Sequence, residues 1–133
     1  MRRLLIDTHA WVWWLLGSEK LGRHATAVLE ASRGTCWLSP ISVWEIGVLV
    51  EKGRLSLDRP CRAWIEAGLR ASGVQTAPLS HEIAMRSNEI ALPHRDPADR
   101  LIAATALEAG LTLLTADARL LRTEGLASID AAS

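Results

Sequence analysis

Four acids spaced widely along the chain, Asp7, Glu45, Asp99 and Asp117, are the residues whose setting points to chemistry. Asp7 directly follows a short apolar run, and Asp117 comes soon after another. Glu45 falls in the first turns of a helix opened by Ser39-Pro40, and Asp99 in the first turn of one opened by Asp96-Pro97; proline suits the first helical position. Singly, each acid is explained as a cap or as a partner of the helix dipole. Ser42-Val43-Trp44-Glu45 fits an S-x-x-E capping box, and Asp96 suits a cap with Asp99 at the third helical position. Together the acids mean more. In a parallel α/β sheet the strand C-termini and helix N-termini share one edge, where ligands bind. Two carboxylates about 5 Å apart repel by roughly 3 kcal/mol at an effective dielectric near 20. Six such pairs cost on the order of 20 kcal/mol, beyond the marginal stability of a domain. Convergence therefore demands protonation or a cation. Hard oxygen ligands without a cysteine cluster select Mg²⁺ or Mn²⁺ over zinc.

The elements that must position these acids alternate in type. Strands are predicted at Arg3 to Ile6, Cys36 to Leu38, Val74 to Ala77, Leu111 to Leu114 and Ala127 to Ile129. Helices are predicted at Thr8 to Leu16, Gly22 to Ser32, Pro40 to Lys52, Arg59 to Ala71, Ser80 to Ile90, Pro97 to Ala109 and Ala118 to Leu121. Such alternation implies α/β layers around a mostly parallel sheet. No repeat or linker divides residues 1–133, so one domain with one core is expected.

Bulk properties exclude several classes. Hydrophobic residues make up 49% and charged residues 23%, which argues against disorder. Fifteen basic and fifteen acidic residues cancel, so no global attraction to nucleic acid is expected. Only Lys20 and Lys52 are lysine; the other bases are arginine, whose fork matches phosphate but also serves surface ion pairs. Cys36 and Cys61 lack metal-ligand spacing and are expected to be buried, reduced thiols. Asp7 breaks the first apolar run, against a signal peptide, and no run suits a membrane span. A cytoplasmic location is the expectation.

Four ordered segments carry a family resemblance: Leu4-Leu5-Ile6-Asp7-Thr8-His9, Ser39-Pro40-Ile41-Ser42-Val43-Trp44-Glu45-Ile46, the stretch from Leu92 to Ala106 that contains Asp96-Pro97-Ala98-Asp99-Arg100, and Leu113-Leu114-Thr115-Ala116-Asp117. In order and spacing the chain resembles the PIN-domain ribonucleases, and more narrowly the VapC-like toxins of toxin–antitoxin pairs. The resemblance implies a three-layer fold with four to five short strands, and a Mg²⁺-dependent endoribonuclease. It implies Asp7 and Asp99 as the main metal ligands, with Glu45 and Asp117 completing the site. Asp96 is a cap first and a ligand second. Thr8 and Thr115 are expected to hydrogen-bond the acids or the scissile phosphate, with capping as their alternative. The implied chemistry is in-line attack of water on a phosphodiester, leaving 5′-phosphate and 3′-hydroxyl ends. Single-stranded or looped RNA is the expected substrate. Arg95, Arg100 and Arg119 are placed to hold flanking phosphates or to pair with the acids. The resemblance also implies homodimers and a VapB-like antitoxin whose helical tail covers an apolar groove.

Six tryptophans stand without a tyrosine or phenylalanine. Trp11, Trp13 and Trp14 lie on a helix that is apolar on every face, which is either buried or meets a partner; Trp11 and Trp14 are the interface candidates. Trp37, Trp44 and Trp64 are expected in the core. His9 and His94 lie near the acids and suit RNA contact or capping. A receiver domain would need a second acid after the first strand and a lysine late in the chain, and a phosphatase would need Asp-x-Asp; neither is present. An RNA-processing nuclease outside a toxin pair and a non-catalytic binding module are the remaining alternatives.

Overall fold

The computed structural model describes residues 2–93 and 95–133; His94, expected near the acids, lies outside the described residues. Five strands, β1 (Leu4–Ile6), β2 (Cys36–Leu38), β3 (Gln75–Thr76), β4 (Thr112–Thr115) and β5 (Ser128–Asp130), form one sheet in the order β3-β2-β1-β4-β5. Every pairing is parallel. Seven helices connect them among the described residues: α1 (Thr8–Leu16), α2 (Arg23–Ala31), α3 (Pro40–Glu51), α4 (Cys61–Ser72), α5 (His81–Glu89), α6 (Pro97–Ala109) and α7 (Ala118–Leu121). The expected α/β sandwich is thus observed, fully parallel. Only β3 is markedly shorter than predicted. It is an edge strand with both residues exposed, so β2 alone holds it.

Strand alternation sorts the core into two layers. Leu4, Ile6, Cys36, Leu38 and Leu114 point to one side, where α1–α4 supply Trp11, Leu29, Ile46 and Trp64. Leu5 and Leu113 point to the other, against Ile102, Ala103 and Leu120 of α6 and α7. β1 lies in the middle of the sheet, with chain crossing to β2 on one flank and β4 on the other. This reversal is the switch point at which parallel sheets bind ligands.

The interface of α1 with α4 settles the role of Trp11. Its side chain is 0% exposed, packed edge-on against Trp64 with ring centres 6.0 Å apart. The Trp11 Nε1–H donates to Ser72 Oγ at 3.1 Å, and the Ser72 hydroxyl donates to the Gly68 carbonyl. Gly68 makes room for the indole: a Cβ there would lie 2.7 Å from Leu15 Cδ1 and 3.2 Å from Trp11 Cη2. Trp11 is therefore a core residue, not an interface residue. Trp14 is half-buried, donating to Glu30 with the Arg33 guanidinium over its ring. Trp44, expected in the core, is 58% exposed, because α3 turns Ile46 and Ser42 inward instead. Cys36 is buried as expected and its thiol is pushed up to about 11 by burial, while Cys61 is only half-buried.

Two glycines are needed where they stand. Gly17 ends α1 at φ 63°, and its N–H closes onto the Trp13 and Trp14 carbonyls; this left-handed turn favours glycine. Gly22 precedes α2 where the last residues of the chain pass, and a Cβ would sit 1.8 Å from the Ser133 carbonyl oxygen. That oxygen accepts from the Ala25 N–H, so the chain end does the capping that Gly22 lacks a side chain to do.

Candidate active site

Asp7 stands where β1 ends, and its carboxylate is nearly buried at 7% exposure. One oxygen accepts from the Thr8 N–H at 2.9 Å and the other from the Thr115 hydroxyl at 2.6 Å. The second bond ties β1 to β4 across the switch point. Thr115 also accepts from the Asp117 N–H at 3.1 Å, so one hydroxyl orders two acids. Both threonines are wholly buried. Asp7 therefore caps α1 and faces the cleft together, and the two readings of it are compatible.

Glu45 does something other than cap. Ser39 is the N-cap of α3, accepting from the Ile41 N–H, and Pro40 is its first helical residue. Ser42 thus lies inside the helix, and the capping box is not formed. Glu45 Oε1 instead accepts from the Thr8 hydroxyl at 2.5 Å, and the Thr8 and Ser42 hydroxyls are bonded at 2.9 Å. Thr8 has one proton. Spending it on the carboxylate leaves Ser42 to donate to Thr8. Ser42, one turn before Glu45, is a positioning group and not the cap that its S-x-x-E spacing suggests.

Asp99 enters from the first turn of α6, whose cap is Asp96, accepting from the Ala98 and Asp99 N–H groups. Asp117 caps α7 through the Arg119 N–H at 2.8 Å and pairs with the Arg119 guanidinium at 3.4 Å. Asp7, Glu45, Asp99 and Asp117 line one cleft of about 380 Å³, together with Asp96, His9, Trp13 and Arg119. Arg119 takes its expected alternative, pairing with an acid. Arg100 does not hold the cleft: its guanidinium donates to the carbonyls of Ser87 and Ile90, tying α6 to the end of α5. The substrate-binding role expected of Arg100 is replaced by this clamp, because those two carbonyls at the end of α5 lie within its reach.

Acidities follow from these surroundings. Burial pushes Asp7 above the ordinary carboxylate range, against the Thr115 and Thr8 hydrogen bonds. Glu45 is raised by burial, with the Thr8 hydroxyl opposing. Asp99 is pushed up to about 8, by burial first and then by Asp7, Asp96, Asp117 and Glu45. At Asp117 burial also raises, but the Arg119 side chain and backbone outweigh it and leave the acid below its usual value. The acids are near enough to disturb one another. Even so, among the described residues no three His, Cys, Asp or Glu side chains are already gathered as a metal-ligand group. Threonine and arginine donors hold the oxygens of Asp7, Glu45 and Asp117 in their present places.

Residues 4–126 match the PIN domain. The chain is 34% identical over 123 residues to Ribonuclease VapC22 of Mycobacterium tuberculosis, covering 90% of this chain and 91% of that protein. A chain of VapBC2 from Rickettsia felis, solved with a promoter DNA fragment, has the same fold: TM-score 0.71, 18% identity, 95% of this chain and 96% of that one covered. VapBC-5 of M. tuberculosis, a member of the VapBC family of toxin-antitoxin systems, gives a TM-score of 0.59 at 17% identity, with 96% of both chains covered.

Proposed function

This chain belongs to the PIN domain family, and from that premise we propose that it is an endoribonuclease using a divalent cation, Mg²⁺ or Mn²⁺, and the toxin of a VapBC-type pair. The observation that carries the reading is the cleft around Asp99, whose acidity is pushed to about 8 by burial and four neighbouring carboxylates. A cluster of this kind is a poor structural device and a good receptor for positive charge. The five carboxylates are hard oxygen donors, His9 is the one nitrogen donor of its kind on the described cleft wall and neither cysteine lies there, which fits Mg²⁺ or Mn²⁺.

Asp7 and Asp99 would be the principal ligands, and Glu45 and Asp117 would complete the set. Bound there, the ion would neutralise charge on a phosphodiester under attack by water. The chain's own residues supply the preorganisation. Thr8 and Thr115 fix Asp7 from two sides, Thr8 backed by Ser42 orients Glu45, and Arg119 keeps Asp117 ionised. A single-stranded or looped RNA suits an open cleft, and the products would carry 5′-phosphate and 3′-hydroxyl ends. The VapC22 relative and the VapBC complexes support a VapB-like antitoxin as partner. A homodimer in the cytoplasm completes the proposal; among the described residues no helix is long and apolar enough to cross a membrane.

The test is cleavage of a labelled single-stranded RNA with Mg²⁺, with EDTA, and by Asp7→Asn and Asp99→Asn. Cleavage that survives chelation, or that survives both substitutions, would sink the metal-dependent reading. Growth arrest on expression, relieved by a small adjacent gene, tests the toxin role.

A further inference from the structure

A second cavity, about 490 Å³, opens beside the acid cleft between α1, α3 and the turns that follow them. The two share His9, Trp13, Glu45 and Asp96 as a common wall, so they form one continuous groove. Their electrostatics differ. The acid cleft carries five carboxylates, and its one arginine, Arg119, is already paired with Asp117. The second cavity shares only Glu45 and Asp96 of these and sets Lys20 and Arg54 against them. Neither cation joins an ion pair among the described residues, and both are exposed. Their backbones are nevertheless fixed: the Lys20 N–H donates to Ser18 Oγ, and the Arg54 N–H to the Leu49 carbonyl. Each base thus stands on a fixed backbone, with its side chain exposed and outside the ion pairs of the described residues. Trp13 is half-buried on the shared wall, with His9 tilted across it at 6.3 Å between ring centres.

We propose that this cavity is a flanking subsite for a single RNA strand, with phosphates held at Lys20 and Arg54 and a base against Trp13; the proposal rests on the ribonuclease reading above. Charge is the argument. Five carboxylates repel a polyanion, and the chain's net charge of zero supplies no compensating attraction from afar. A strand reaching the acids needs local cations beside them, and the far side of the second cavity presents two, Lys20 and Arg54. An aromatic face next to cationic side chains is how single strands are gripped without sequence readout.

The experiment measures binding of a fluorescein-labelled single-stranded RNA of about 12 nucleotides, a length within the usual range of single-strand sites, to the whole protein in EDTA over a series of salt concentrations. Loss of two phosphate contacts in Lys20→Ala/Arg54→Ala should reduce the slope of log affinity against log salt by about 1.4. Trp13→Leu should weaken binding by about tenfold and leave the slope unchanged. A double variant with the wild-type slope overturns the proposal and leaves the groove's apolar wall to a protein partner. Metal-dependent cleavage by a wild type that shows no cation-dependent binding would also overturn it, while the ribonuclease reading stands. Binding with the expected slopes, but no cleavage with any divalent ion, keeps the subsite and removes the nuclease. Neither binding nor cleavage removes both.

Discussion

The two faces of α1 are built to opposite rules. Toward α4, Trp11 finds an aromatic partner, a hydrogen-bond acceptor and a glycine-made slot, and the acceptor Ser72 is itself satisfied by Gly68. Toward the sheet edge, Asp7, held by the Thr8 N–H, opens onto a cleft where carboxylate faces carboxylate, and Asp99 is driven to about 8. One face spends sequence on stability. The other holds charges that the fold alone leaves uncompensated, as functional sites commonly do. The contrast teaches that the tryptophans nearest in sequence to the acids need not share their purpose.

The comparison breaks most sharply at Trp11. Trp11→Ala should destabilise the fold by about 3–5 kcal/mol, read by denaturant unfolding; a loss under 1 kcal/mol would return the residue to a surface role. On the other face, Asp99→Asn should lower RNA cleavage by on the order of 10²–10³-fold. The same change should raise the melting temperature of the metal-free protein, since it removes one of the mutually repelling acids. Lower cleavage together with a lower melting temperature would make Asp99 structural. Gly68→Ala pushes a methyl against the Trp11 ring and should cost about 1–3 kcal/mol, with cleavage per folded molecule unchanged.

The smallest effect is in pH. Asp99 titrates near 8 when folded against an ordinary 3.8, so its stabilising protonated form is fully present below about 3.8 and is lost as pH rises through about 8. Asp7 and Glu45 shift the same way. Asp117, held low, runs opposite: its contribution is present above 3.8 and is lost as pH falls through its lowered value. Melting of the metal-free protein should therefore fall by a few degrees between about pH 6 and about pH 9, and Mg²⁺ should reverse the fall. A flat profile would mean the acids stand farther apart than their acidities imply.

Legibility in the sequence followed how local each signal is. Asp96-Pro97 and Ser39-Pro40 set the starts of α6 and α3 to the residue, because a cap and a proline act within one turn. The same local evidence misled at Ser42: with Pro40 at the first helical position, Ser39 must be the cap, and Glu45 is released to Thr8. Helix α1 is apolar all round, so its periodicity names no inner face, and the burial of Trp11 depended on Gly68 far along the chain. Trp44 and Arg100 failed for the same reason in reverse. One was left outside by the turn of α3, and the other was claimed by carbonyls of α5. Gathering of the acids along one edge was readable only because parallel strands place their ends together.

The Asp7–Thr115 bond joins residues 108 positions apart. During synthesis β1 emerges first, yet both strands that flank it come later, and β4 almost last. Asp7 waits for a hydroxyl made 108 residues later. A nascent chain that stops short of β4 carries Asp7 and Glu45 but lacks Thr115 to hold Asp7. Such long-range closure slows folding. It also means that the acid cleft takes its final form only when β4 joins β1 and Thr115 meets Asp7.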